Sequence, residues 1–142
     1  MKKLNQFFNA RKDYGIIFLR LVIGCRLIVA VWGVVFSWQN MLGVKDFFQS
    51  VHIPIPMISA VVAVYAEFIC GILYTIGLWV RYAALIMIIN FIVAIAFVDV
   101  HNDFEKAFPA WVILATSFFF LFHGAGKISI DEQLNKRITK TI

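Results

Sequence analysis

The chain has 142 residues, of which 62% are hydrophobic, 16% aromatic and only 15% charged, against the roughly 25% charge of a soluble domain. Charge is concentrated between long apolar stretches, so the apolar excess is organised as membrane spans and not as one water-soluble core. The formal charge of +5 does not indicate nucleic acid, because no basic stripe interleaved with exposed aromatics and no recognised binding motif accompanies it.

Residues 1 to 14 read as a basic, amphipathic leader with Phe7 and Phe8, lying at the membrane surface. Lys2 and Lys3 resemble the start of a signal peptide. That reading fails because the following apolar stretch is too long, contains Arg20 and Arg26, and lacks a small-residue cleavage site. The first span is predicted over Ile16 to Trp38. After it, Met41, Leu42, Val44, Phe47, Phe48 and Val51 recur at near-helical spacing against Lys45, Asp46 and Gln49, which predicts a short interfacial helix on the outer face. Ile53-Pro54-Ile55-Pro56 stops it, since residues before proline disfavour helix.

The second span runs from Pro56 to Trp79 and the third from Tyr82 to Val98. The connection between them, Gly77 to Arg81, has room only for a tight hairpin, so these spans are neighbours. A polar loop, Asp99 to Ala107, leads to the fourth span, Phe108 to His123, with Pro109 expected in its first turn. Gly124 and Gly126 then allow a turn, and Ser129 with Glu132 makes a capping-box pattern ahead of a tail helix bearing Ile130, Leu134 and Ile138. All four runs approach or exceed the ~17 residues that cross ~30 Å of hydrocarbon. The expectation is one all-α domain over residues 1–142, a membrane-embedded antiparallel four-helix bundle with the outer interfacial helix and a cytoplasmic C-terminal helix.

Four crossings put both termini on one side. Lys2, Lys3, Arg11, Lys12, Arg81, Lys127, Lys136, Arg137 and Lys140 gather there, against Lys45 and Lys106 opposite, so the positive-inside rule makes that side the cytoplasm. Small residues, among them Gly24, Gly33 and Gly71, suit close helix approach in lipid.

Arg26 in the first span, Glu67 in the second and Asn90 in the third reach similar depth at a rise of about 1.5 Å per residue, with Thr116 and Ser117 of the fourth within about a turn. Ionised groups at the bilayer centre cost about 2.5–3.5 kcal/mol each and tend to find partners. A polar layer is therefore expected, with Glu67 paired to Arg26 or to Arg20, which lies nearer the cytoplasmic surface. Glu67 is the candidate proton acceptor, and Arg20, Arg26, Glu67 and Asn90 are the candidate ligand-binding residues. Against this stands a purely structural salt bridge that fixes helix register.

Cys25 and Cys70 are too far apart in sequence for a CxxC motif and read as small buried hydrophobes, although pairing between them is geometrically open. His52, His101 and His123 fall on two sides of the membrane, and the Asp99, His101, Asp103 cluster reads as a solvated loop, so no metal site is expected.

Several stretches together resemble the DoxX family of small four-span membrane proteins: Leu19-Arg20 with Gly24, the Ile53-Pro54-Ile55-Pro56 entry, Ala66-Glu67, Gly71, Gly77, Arg81, then Gly124-Ala125-Gly126, Ser129 and Asp131. The resemblance implies a bacterial cytoplasmic-membrane protein, with some relatives associated with quinone-linked sulfur oxidation and others with membrane redox complexes. It highlights Arg20, Glu67 and Arg81. Arg26 is not part of the pattern, and where the family often carries a lysine late in span one this chain reads Trp32-Gly33-Val34-Val35-Phe36.

The functional expectation is a subunit of a redox or quinone-linked complex, not active alone, with a quinone-like amphiphile near Glu67 and a redox partner protein to carry electrons, since no cofactor motif is present. The alternative is a non-catalytic membrane anchor or assembly subunit. A small-solute carrier ranks last, because no inverted repeat is evident.

Overall fold

The computed structural model describes residues 2–98 and 104–139, with the side chains of residues 2–13, 135 and 137–139 left out of the description. The Asp99, His101 and Asp103 loop, Phe7 and Phe8 of the leader, and Ile138 of the tail fall outside the described side chains. Six helices follow in order: α1 Lys2–Val35, α2 Trp38–Ser50, α3 Pro56–Ile76, α4 Val80–Phe97, α5 Phe104–His123 and α6 Ile130–Thr139. Tyr14–Val35, Pro56–Ile76, Val80–Phe97 and Phe104–His123 are long and apolar enough to cross a bilayer. Only 28–33% of each is buried within the chain, so most of their apolar surface is left for lipid. This is a multi-pass membrane protein.

Three boundaries differ from expectation. The leader runs into the first span without a break, for α1 is one 34-residue helix from Lys2; no proline or glycine pair interrupts it, and helix propagates cheaply once formed. Trp38 begins α2 instead of ending the first span, because Ser37 adopts an extended N-cap conformation and its side chain accepts from the Asn40 amide. The fourth span begins at Phe104, which places Pro109 inside the helix and not in its first turn.

The tight hairpin between α3 and α4 forms as expected. Gly77 ends α3 in the left-handed conformation at φ 73°, where a side chain is strained and glycine is not. Trp79 is also left-handed, at φ 49°, an uncommon setting for a bulky residue. The predicted interfacial helix is α2, and the chain leaves it through His52 and Ile55, both at positive φ, before Pro56 starts α3 where a missing amide costs nothing.

Packing follows from small residues. A Cβ built on Gly24 would lie 2.7 Å from the Gly71 carbonyl oxygen, and one on Gly71 would lie 2.9 Å from Ile28 and 3.1 Å from Leu27. α1 and α3 therefore touch backbone to backbone, as helices do where no solvent-driven term holds them together. The main core joins Ile23 and Leu27 of α1, Cys70 and Tyr74 of α3, Ala83, Met87 and Phe91 of α4, and Ile113, Leu114 and Phe120 of α5. A smaller one sets Met41 of α2 against Val31, Ala60 and Val64. Backbone approach is extensive for α1 with α3, α3 with α4, and α4 with α5, but not for α1 with α5.

Candidate functional site

Glu67 of α3 and Asn90 of α4 come together. Asn90 Nδ2 donates to Glu67 Oε1 at 3.2 Å, and both side chains are half-buried. At about 1.5 Å per residue, Glu67 lies roughly 14 Å along α3 from Ile76 and Asn90 roughly 15 Å along α4 from Val80, both near mid-span. The hairpin brings them to one level.

The ion pair expected between the first and second spans does not form. Among the described residues, neither Arg20 nor Arg26 lies within salt-bridge distance of Glu67. Arg26 is exposed on α1 and reaches Glu67 only as an electrostatic neighbour. Arg20 is buried at 3% exposure and points elsewhere: its Nε donates to the Tyr74 carbonyl at 3.0 Å, one terminal nitrogen to the Ala125 carbonyl at 2.7 Å and the Ile128 carbonyl at 3.2 Å, and the other to Thr75 at 3.5 Å. These acceptors are the orphan carbonyls at the end of α3 and in the turn after α5. The guanidinium thus neither snorkels to headgroups nor reaches Glu67. Gly77 is part of the same arrangement, for a Cβ there would collide with the Arg20 guanidinium.

Around this clasp other polar residues close the same end of the molecule. Asp131 accepts from the Trp79 amide at 2.7 Å through Oδ1 and from the Val80 amide at 3.1 Å through Oδ2, while its own amide donates to the Gly77 carbonyl at 3.1 Å. A carboxylate there satisfies free amides and complements the dipole at the start of α4. Ser129 Oγ donates to the Gly126 carbonyl at 2.7 Å and accepts from the Glu132 amide at 3.2 Å, the backbone half of the expected capping box; Glu132 pairs instead with Lys136 at 3.5 Å. Arg81 donates to the Phe122 carbonyl at 3.5 Å, near the end of α5. Thus Arg20 and Arg81 both serve helix carbonyl ends. The sequence signal for this role is glycines at 77, 124 and 126 marking helix ends near the depth of Arg20.

The single polar layer separates into unlike parts. Thr116 donates to the Val112 carbonyl of its own helix at 2.7 Å. Ser117 receives the Tyr74 hydroxyl at 3.1 Å, beneath an edge-to-face contact of Tyr74 with Phe120 at 4.9 Å. No buried side-chain nitrogen or oxygen among the described residues lacks a partner. Cys70 is buried, Cys25 is exposed, and both are free thiols.

Four apolar crossings with a carboxylate and a carboxamide joined at mid-depth define a multi-pass membrane protein with an intramembrane polar pair. The DoxX family model matches residues 15–101, more than half of the chain, and the chain belongs to the DoxX family. The match includes Arg20, Glu67, Gly77, Arg81 and Asn90. No curated protein and no solved structure matches it.

Proposed function

We propose that this chain is an integral subunit of a redox or quinone-linked complex of the bacterial cytoplasmic membrane, binding the polar head of a quinone-like amphiphile at Glu67 and Asn90. The single observation behind this reading is the Asn90 to Glu67 hydrogen bond, a half-buried donor and acceptor pair near mid-span. A quinone presents carbonyl acceptors and, once reduced, hydroxyl donors. Asn90 can give a hydrogen bond to the first, and Glu67 can accept from the second or hold a proton in transit. A partner protein supplies the electrons. In this reading the four crossings form an antiparallel bundle with both termini cytoplasmic and α2 on the outer face. Arg20 is left out of the ligand set because its donors are occupied by carbonyls.

Reconstitution in vesicles containing a fluorescent quinone analogue tests the proposal. Glu67→Gln and Asn90→Leu should each weaken analogue binding about tenfold, the loss of one hydrogen bond to a charged or strongly polar partner. Equal binding by wild type and both variants rejects it. The second reading, a non-catalytic anchor or assembly subunit, draws on the use of Arg20, Gly77 and Arg81 as helix-end contacts. It predicts that Glu67→Gln lowers stability and leaves analogue binding at the background level of vesicles without protein.

A further inference from the structure

We infer that the exposed face of α1 centred on Arg26 is a docking surface for the transmembrane helix of a different protein, one carrying a carboxylate at the same depth. Arg26 lies on a stripe with Val22, Val29 and Gly33, all exposed, at the spacing that presents one face of a helix. At about 1.5 Å per residue, Arg26 sits roughly 18 Å from Tyr14 and roughly 14 Å from Val35. An extended arginine side chain spans about half of that, so snorkelling does not bring its charge to the headgroups. Among the described residues it has neither a hydrogen bond nor an ion pair, and Glu67, with which it interacts only electrostatically, is engaged by Asn90.

A guanidinium at this depth in lipid is costly, which is why such groups face protein or water. The depth also selects the chemistry of the occupant. Anionic lipid heads stay at the interface, and Glu67 acts on Arg26 only through its field while bonded to Asn90, leaving a side chain of another membrane helix as the source of a directly paired carboxylate. A second copy is disfavoured by geometry, because two α1 helices meeting side by side in the same orientation would set Arg26 against Arg26. Gly33 adds room, for a Cβ built there would meet nothing nearer than Asn40 Nδ2 at 3.8 Å, and small residues favour close helix approach in membranes. This surface goes beyond the amphiphile site, since it concerns the outward side of α1 and makes no use of the Asn90 contact.

The test uses the full chain in vesicles with a labelled donor at its N-terminus and synthetic leucine–alanine transmembrane peptides bearing an acceptor, with Glu, Leu or Lys at the central position. Energy transfer should report tighter binding of the Glu peptide than the Leu peptide by about 3- to 20-fold, the range of interhelical polar contacts in bilayers. Arg26→Leu should remove that difference, Arg26→Lys should retain part of it, and Arg26→Glu should transfer the preference to the Lys peptide. Thermal unfolding of each variant verifies that it is folded, and the exchanged preference supplies a positive signal that a misfolded variant cannot give. Equal binding of Glu and Leu peptides overturns the inference. So does a Glu preference that survives in Arg26→Leu, and so does Arg26-dependent energy transfer between two copies of the chain without peptide. Glu67→Gln should leave the Glu-peptide preference intact while weakening binding of the quinone analogue about tenfold, which separates failure of this inference from failure of the amphiphile reading.

Discussion

Replacing Arg20 by methionine keeps an unbranched apolar stem and removes every donor. The side chain makes three close hydrogen bonds to carbonyls of Tyr74, Ala125 and Ile128. Two magnitudes bracket the loss. Polar contacts in membrane proteins average about 0.6 kcal/mol, which for three gives about 2 kcal/mol. Hydrogen bonds to charged groups in a buried setting are worth about 1.5 kcal/mol or more each, which gives about 5 kcal/mol. Arg20→Met should therefore destabilise the fold by about 2–5 kcal/mol. Reversible unfolding by SDS in mixed micelles measures the difference, with Arg26→Met as the reference because Arg26 is exposed and makes no hydrogen bond; that change removes a cation from lipid and should leave stability unchanged or raise it. The carbonyl-clasp account is wrong if Arg20→Met costs under 1 kcal/mol by the same measurement, or no more than the reference.

Gly24→Ala and Gly71→Ala should each cost about 1–3 kcal/mol by overpacking the α1–α3 contact, whereas Gly15→Ala, where a Cβ meets nothing within 4 Å, should be neutral or slightly stabilising in the same assay. Asp131→Ala removes two acceptors from the start of α4 and should cost about 1–2 kcal/mol, seen as faster hydrogen exchange at the Trp79 and Val80 amides while amides in the middle of α4 keep their protection. Tyr74→Phe deletes the hydroxyl that meets Ser117 and should cost about 0.5–1.5 kcal/mol; in a cycle with Ser117→Ala the double variant should lose less than the sum of the single ones.

Much of the architecture was legible in the sequence because the bilayer imposes a length and a composition on each crossing. Four apolar runs, the Gly77 hairpin, the α2 helix and the stop at Pro54 and Pro56 all followed from local rules. The meeting of Glu67 with Asn90 was half visible: depth counting put both near mid-span, but depth says nothing about which way a side chain turns around its helix axis. That rotation is fixed by the close approach of Gly24 and Gly71 and by the hairpin, which depend on distant segments. The same gap explains Arg20. Opposite charge favoured a carboxylate partner, while the structure gives it carbonyls, because two helix ends left unpaired acceptors at its depth and an unsatisfied carbonyl away from water is expensive. Boundary errors at Trp38 and Phe104 arose where apolarity and helix did not end together, the first decided by the Ser37 cap.

The carbonyls that receive Arg20 at Ala125 and Ile128 lie 105 and 108 residues further along the chain. During synthesis the first crossing must wait in the membrane, its charge uncompensated by those oxygens, until the turn after α5 has left the ribosome. The end of the molecule that this arginine gathers is thus sealed only after the fourth crossing has been made, and a product cut short before that turn presents an unsatisfied cation in lipid, a mark that sets it apart from a folded chain for membrane proteases.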